Sequence, residues 1–261
     1  RLLVENPNQN YAIVYSDISQ FKYVNDALGY EIGDCILCDF ARHLKENEKK
    51  HSSLSRSSED NFLAIVEYHD EETLKEHILE VNERFNVNER IKYPAHNFNI
   101  RSGVSIIDPS KDISIAIDNA NIARKSVKNS LKTVCKFFDQ TMRIKIQKET
   151  EITNTMKNAL KNKEFIVYLQ PKIELSGNTL VGAEALVRWL KEDNTLMPPN
   201  DFIPLFEKNG FVVYLDFYVY EEVCKKLRDW LDNDLPVVPI SLNVSRIHLN
   251  DVKFVTDIEN L

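Results

Sequence analysis

Apolar positions along this chain fall into two rhythms. Short continuous runs between polar or turn residues read as strands, and recurrences at three and four residues read as helices. Tyr11-Ala-Ile-Val-Tyr-Ser-Asp17-Ile is a buried strand ending on an acid. Phe21 to Leu28 is a short helix stopped by Gly29, and a second helix runs from about Gly33 to Glu46. Ser53 to Val66 reads as a hairpin around the polar turn Ser57–Asn61. Glu71 to Phe85 is an amphipathic helix, and Asn97 to Ile107 a strand closed by Asp108-Pro109. Ile113 to Lys128 is a helix and Thr133 to Phe138 a short strand. The order β-α-α-β-β-α-β-α-β predicts an α+β layer with helices over a mostly antiparallel sheet.

The second half has a different rhythm. Asp139 to Leu160 is a long polar helix with Met142, Ile146, Ile152, Met156 and Leu160 spaced near 3.6, a stiff connector rather than a loose linker. Phe165 to Leu175 is a strand, Ser176-Gly177-Asn178 a turn, and Leu180 to Trp189 a second strand. A short helix from Pro199 ends at Asn209-Gly210, and Val213 to Leu231 is a long amphipathic helix. Pro239 to Ser245 reads as a buried strand, with another helix from Asp251. From Leu180 the alternation of strand and helix predicts the N-terminal part of a (βα) TIM-like barrel. The domains expected are 1–138, with its start truncated, a connector helix at 139–160, and an incomplete barrel portion at 161–261.

Composition narrows the partners. A net charge of −7 argues against broad electrostatic binding to nucleic acid or to an anionic membrane. No apolar run approaches the roughly 20 residues of a membrane-spanning helix. Arg1-Leu-Leu-Val-Glu-Asn-Pro7 has no signal-peptide core, and the chain begins as if cut from something longer. Cys35 and Cys38 form a lone C-x-x-C within a helical pattern; buried thiols on a helix are the commoner reading, zinc or redox chemistry the other. Four scattered cysteines fit a reducing, cytoplasmic setting.

Polar groups sit at strand ends in the second half: Gln170, Glu184, Arg188 and Asn243. In a (βα) barrel such positions face the mouth where chemistry occurs. Glu184 and Asn243 are hard oxygen ligands suited to Mg²⁺ or Mn²⁺. Arg188 can clamp a phosphate, and Gln170 offers both a donor and an acceptor. A metal with an arginine clamp describes metal-assisted phosphodiester hydrolysis. Two bland alternatives stand beside this: Glu184 and Arg188, four apart on one strand face, as a structural ion pair, and Asn243 as a strand-end hydrogen bond.

The residues Tyr168-Leu-Gln170-Pro171, Glu184-Ala-Leu-Val-Arg188-Trp189, Pro199 with Phe202-Ile-Pro204 and Glu207, and Ser241-Leu-Asn243-Val-Ser245 occur in one order. This half resembles the EAL family of cyclic-di-GMP phosphodiesterases. The resemblance implies a barrel that takes the cyclic dinucleotide at its mouth, with two divalent metals activating water to open one phosphodiester. It makes Glu184 and Asn243 metal ligands, and Gln170 and Arg188 substrate contacts. The family's remaining metal carboxylates, its paired-aspartate loop and its catalytic lysine and glutamate fall beyond Leu261. Residues 1–261 alone are therefore expected not to hydrolyse cyclic-di-GMP.

The first half carries Asp17-Ile-Ser-Gln-Phe21-Lys-Tyr-Val-Asn25-Asp-Ala-Leu-Gly29-Tyr-Glu-Ile-Gly33-Asp34. It resembles the GGDEF family of diguanylate cyclases, whose nucleotidyl-cyclase-like (ferredoxin-like) α+β fold agrees with the element order. The resemblance implies that Asp17 holds Mg²⁺ and that Asn25 and Asp34 read the guanine edge. The signature turn departs from the family: Ser58-Glu59-Asp60-Asn61-Phe62 stands where two glycines precede the acids. Glycines let backbone approach a triphosphate, some of it at positive φ; Ser58 and Glu59 add bulk and negative charge. Asp60 remains available to a metal, whereas Asn61 replaces the next acid. In Asn119–Ser126 the family's phosphate-binding Lys and Arg fall at Ile122 and Ser126, and its inhibitory Arg-x-x-Asp at Lys49 and Ser52. The domain is read as degenerate: unable to make cyclic-di-GMP, retaining weak guanine-nucleotide contact through Asp17, Asn25 and Asp34.

The leading expectation is a parent cyclic-di-GMP phosphodiesterase regulated by an inactive GGDEF domain through the connector. The alternative is a non-catalytic cyclic-di-GMP or GTP-binding receptor or scaffold. Exposed barrel edges invite pairing with a second copy. Tyr214, Phe217, Tyr220 and Trp230 either join that contact or form a core-facing stripe.

Overall fold

The computed structural model describes residues 9–47, 52–127 and 132–261. It divides into two compact units, one up to Lys145 and one from Ile146. The expected position Lys49 lies outside the described residues.

The first unit is built on a five-stranded sheet. β1 (Tyr11–Ile18) is buried along its whole length and sits at the centre of the order β2-β3-β1-β4-β5. β2 (Ser53–Ser58) and β3 (Asn61–Glu67) form the predicted hairpin, with Glu59 at the turn at φ 42°. β4 (Ile100–Ile106) pairs antiparallel with β1, and β5 (Val134–Phe137) parallel with β4. The helices are α1 (Phe21–Leu28), α2 (Tyr30–Glu46), α3 (Glu71–Lys92) and α4 (Ile113–Ser126). Asp70 and Asp112 accept from the backbone N–H groups of Thr73 and Ser114, which fixes the starts of α3 and α4.

Alternation gives β1 two apolar faces. Ala12 and Val14 pack with Leu74, Ile78, Val104 and Cys135. Tyr11, Ile13 and Tyr15 pack with Ile107, Ala116 and Ala120 on the other face. Two helices outrun their expected bounds. α3 continues beyond Phe85 to Lys92, because Asn82, Asn86 and Glu89 extend its buried stripe with polar residues, which hydrophobic periodicity does not count. α2 starts at Tyr30 rather than Gly33, so Gly33 is interior to the helix. A Cβ there would lie 1.9 Å from Asn25 Oδ1, and the glycine permits the close crossing of α1 and α2. Cys35 and Cys38 do not form the buried pair expected of them. Both are exposed on α2, because the buried stripe of that helix runs through Gly33, Ile36, Leu37 and Phe40.

A 22-residue helix, α5 (Gln140–Lys161), runs through the boundary between the units. The second unit follows with β6 (Phe165–Glu174) and β7 (Thr179–Leu190), an antiparallel pair. A two-residue strand β8 (Leu196–Met197) precedes α6 (Pro199–Asn209) and α7 (Val212–Asp232). β9 (Ile240–Ser241) then pairs parallel with β7, completing a strand–helix–strand crossover. A 3₁₀ turn (Arg246–Asn250) and α8 (Phe254–Glu259) close the described chain.

Phe165 and Trp189 face each other across β6 and β7 and pack on Phe202, Phe206, Phe211 and Leu215. The indole N–H of Trp189 donates to Glu164 at 2.9 Å, which satisfies the polar end of a fully buried ring. α7 presents Leu215, Val219, Tyr220 and Val223 to the interior, so its apolar stripe is core-facing while Tyr214 is exposed. A further expectation is corrected here. Pro239 to Ser245 is a strand only at Ile240 and Ser241, and its residues are half-buried or exposed, because β7 is its one pairing partner among the described residues.

Candidate functional site

In the second unit the core takes one face of β6 and β7, and the other face carries the polar set. Gln170 is directly opposite Glu184, Tyr168 opposite Leu186, and Ile166 opposite Arg188. Glu184 and Arg188 therefore share a face, with Gln170 beside the carboxylate. Glu184 is also in register with Ser241 on β9, two residues before Asn243. The Asn243 side-chain N–H donates to Glu184 Oε1 at 3.0 Å. Gln170 and Asn243 are exposed; Glu184 and Arg188 are half-buried.

The ion pair between Glu184 and Arg188 does not form. Arg188 turns back to donate to the Val187 carbonyl at 2.8 Å, and Glu184 takes the amide of Asn243 instead. Sequence reasoning missed the supports around this set. The Tyr220 hydroxyl donates to the Asn243 carbonyl at 3.0 Å, and Lys172 donates to Ser241 at 2.6 Å. The loop after Asn243 is tied down by Asp216, which pairs with buried His248 at 2.9 Å and accepts the Ser245 N–H. Burial pushes the Asp216 carboxyl above the usual aspartate range, with its hydrogen bond to His248 opposing. Tyr220 carried a signal, an apolar-periodic residue with a hydroxyl; Lys172 on β6, Asp216 on α7 and His248 in the 3₁₀ turn are polar positions that hydrophobic periodicity does not count.

Glu184 supplies one hard oxygen, and Asn243 supplies a second once its amide turns so that Oδ1 rather than Nδ2 faces the carboxylate; with that turn the pair fits one divalent cation. Among the described residues no group of three or more His, Cys, Asp or Glu side chains gathers around a common point.

The first unit's acid is held differently. Asp17 lies directly opposite Arg101 on β4 and Asn61 on β3. Arg101 donates from Nε to Oδ1 at 2.9 Å and from Nη2 to Oδ2. Arg124, on α4, donates from Nη1 to Oδ2. Both carboxylate oxygens thus accept guanidinium N–H bonds, and Asp17 is 2% exposed. This arrangement does not fit a divalent cation on Asp17. Asp60 is half-buried nearby, its carboxyl raised by burial first and by the charge of Asp17 second. Asn61 Oδ1 is buried with no hydrogen-bond partner, as is Asn25 Oδ1, which lies against Gly33. Asp34 is exposed on α2, one residue beyond Gly33. Sequence reasoning did not single out Arg101 or Arg124. Arg124 stood within the Asn119–Ser126 stretch, but a helix position does not reveal which strand residue it reaches.

The two sites are thus a mid-strand carboxylate beside an amide in one unit and a carboxylate among guanidinium groups in the other, and each unit matches a known domain family. The chain belongs to the diguanylate cyclase GGDEF domain family, which matches residues 2–133. The EAL domain family matches residues 153–261, so the two domains stand in tandem. The chain is similar to the bifunctional diguanylate cyclase/cyclic di-GMP phosphodiesterase MucR of Pseudomonas aeruginosa, 26% identical over 97% of this chain and 37% of that protein. It is also similar to the cyclic di-GMP phosphodiesterase PdeR of Escherichia coli, 26% identical over 97% of this chain and 38% of that protein. The chain spans less than two-fifths of the length of these relatives. Among solved structures it matches the Vibrio cholerae LapD S helix-GGDEF-EAL chain bound to c-di-GMP, with TM-score 0.45 and 21% identity over 99% of this chain and 60% of that one.

Proposed function

We propose that this chain belongs to a cyclic-di-GMP phosphodiesterase in which the EAL unit carries the chemistry and the GGDEF unit regulates it through α5. The observation that carries the reading is the grouping of Gln170, Glu184 and Asn243 across β6, β7 and the strand end of β9. In this reading Glu184 and Asn243 hold Mg²⁺ or Mn²⁺, which supplies Lewis-acid charge and an activated water. Arg188 and Gln170 hold and orient the dinucleotide. Arg188 must leave the Val187 carbonyl to do so, an exchange of one hydrogen bond for a charge-assisted pair. The GGDEF unit makes no cyclic-di-GMP. It keeps a guanine contact through Asn25, whose buried acceptor lacks a donor, and the exposed acid Asp34.

The test is hydrolysis of cyclic-di-GMP to the linear dinucleotide by the full-length protein with Mg²⁺ or Mn²⁺. Turnover that is lost in Glu184→Gln supports the reading, and a full-length protein that never turns over sinks it. A second reading is a non-catalytic receptor. It is favoured by Asn243 donating to Glu184, a bond that fills one carboxylate oxygen without any metal. It predicts cyclic-di-GMP binding with no turnover under either ion. The protein works in the cytoplasm with its cysteines as thiols, and two chains pair, a state that sedimentation reads directly.

A further inference from the structure

Several independent features converge on Asp17. It shares one sheet face with Arg101 and Asn61, its direct partners on the flanking strands. Two residues along β4 on that same face is Gly103, where a Cβ would lie 2.0 Å from the Ala120 carbonyl oxygen and 2.3 Å from the Arg124 nitrogen. The missing side chain lets α4 lie directly on the sheet and delivers the Arg124 guanidinium to the strand end. Arg124 is 8% exposed. Its guanidinium sits 5.0 Å from the Tyr15 ring centroid, and its Nε and Nη2 donate to Asn121 Oδ1 at 3.3 and 2.8 Å. The Arg101 fork takes both oxygens of the same carboxylate. Asn61, on the third side, contributes an amide rather than a second negative charge. A divalent cation placed here would meet two fixed positive charges, one carboxylate already neutralised by them, and half-buried Asp60 nearby as the remaining acid.

We propose that Arg101 and Arg124 have replaced the divalent cation of the GGDEF fold. The Arg101–Asp17–Arg124 cluster is a permanent ion centre made by the chain itself, and the first unit binds no divalent ion at Asp17. Its work is to fasten α4 to β1 and β4. The unit's folding is indifferent to Mg²⁺, Mn²⁺ and chelators, and a guanine nucleotide held through Asn25 and Asp34 enters without an ion on this acid. This goes beyond the loss of cyclase activity: it assigns the cause to occupation by arginine, and it does not depend on whether the EAL unit is an enzyme.

The test uses the whole chain carrying Glu184→Gln and Asn243→Ala, which removes the proposed metal donors of the second unit. Mn²⁺ is titrated and the bound ion followed by electron paramagnetic resonance, with the Arg101 Nε–H signal followed by NMR. The expected result is an Arg101 signal that is slow to exchange and is neither shifted nor broadened at millimolar Mn²⁺, with unchanged melting temperature in Mn²⁺ or EDTA. Mn²⁺ binding that Asp17→Asn abolishes overturns the proposal. So does broadening of the Arg101 signal, a readout that requires no first-unit variant to fold. Neither measurement involves hydrolysis, so failure here is distinct from failure of the phosphodiesterase reading.

Discussion

Asp17 and Glu184 are the same device in two settings, a strand acid next to a sheet partner, near the end of β1 in one case and midway along β7 in the other. From the sequence both read as metal ligands. Asp17 is 2% exposed and accepts N–H bonds from two guanidinium groups. Glu184 is half-buried and accepts one bond from a neutral amide. The difference comes from what the neighbouring elements place opposite. β4 and α4 bring fixed cations to Asp17, whereas β6 and the β9 loop bring amides to Glu184. Amides supply polarity without charge, so they leave a carboxylate attractive to a cation; guanidinium groups remove that attraction.

The contrast can be broken most sharply at Asp17. Asp17→Ala should destabilise the first unit by about 3–5 kcal/mol, because it leaves the buried Arg124 uncompensated; denaturant unfolding measures this, and a loss under about 1 kcal/mol would show that the cluster holds little. At Glu184 the weight is reversed. Glu184→Gln should cut hydrolysis by the full-length protein by about a hundredfold or more, equivalent to about 2.7 kcal/mol. The same change should alter stability by less than about 0.5 kcal/mol, as expected for a half-exposed side chain with one neutral partner. A smaller effect is expected one step away. Tyr220→Phe removes the hydroxyl that holds the Asn243 carbonyl and should cost about 0.5–1.5 kcal/mol, with weaker Mn²⁺ binding in the second unit and the Arg101 signal unaffected.

Titration gives the finest comparison. Asp60 is raised by burial and by Asp17, so the folded chain holds that proton more tightly than the unfolded chain does. Its share of stability is present below the usual aspartate value of about 4 and is lost as pH rises through the folded value. Melting curves should show wild type losing ground to Asp60→Asn as pH rises across that window; parallel curves would place Asp60 in ordinary solvent.

The two units were not equally legible. β1 stood out because eight consecutive buried residues need no partner to be recognised as a central strand. The polar set of the second unit was legible in part: strand alternation puts Gln170 and Glu184 on one face, but the expected strand ends are not where they lie, since β6 runs on to Glu174 and β7 to Leu190, and only Asn243 follows the end of a strand. What stayed hidden was pairing across the sheet and between layers. Asp17 and Arg101 are 84 residues apart, and Asp17 and Arg124 are 107 apart. No local rhythm connects them. The reading of Glu184 with Arg188 failed for the opposite reason. Two residues close in sequence and on one face were given to each other, while a more distant amide and a nearer backbone carbonyl took them. The short extent of β9 was also missed, because Pro239–Ser245 has the composition of a strand but only one neighbouring strand to hold it.

Gly33 belongs to a stretch that resembles a nucleotide-binding signature, yet what it does in this fold is provide clearance. The atom that a Cβ at this position would meet first, at 1.9 Å, belongs to the Asn25 side chain on the preceding helix. An alanine there would turn the Asn25 amide out of its place, with Asn25 Cγ at 3.1 Å and the Phe21 ring at 3.3 Å next in reach. A change at this position is therefore felt first by the Asn25 side chain, the residue proposed to contact guanine. Two residues of one signature are thus tied by contact, the glycine leaving the room that the asparagine fills.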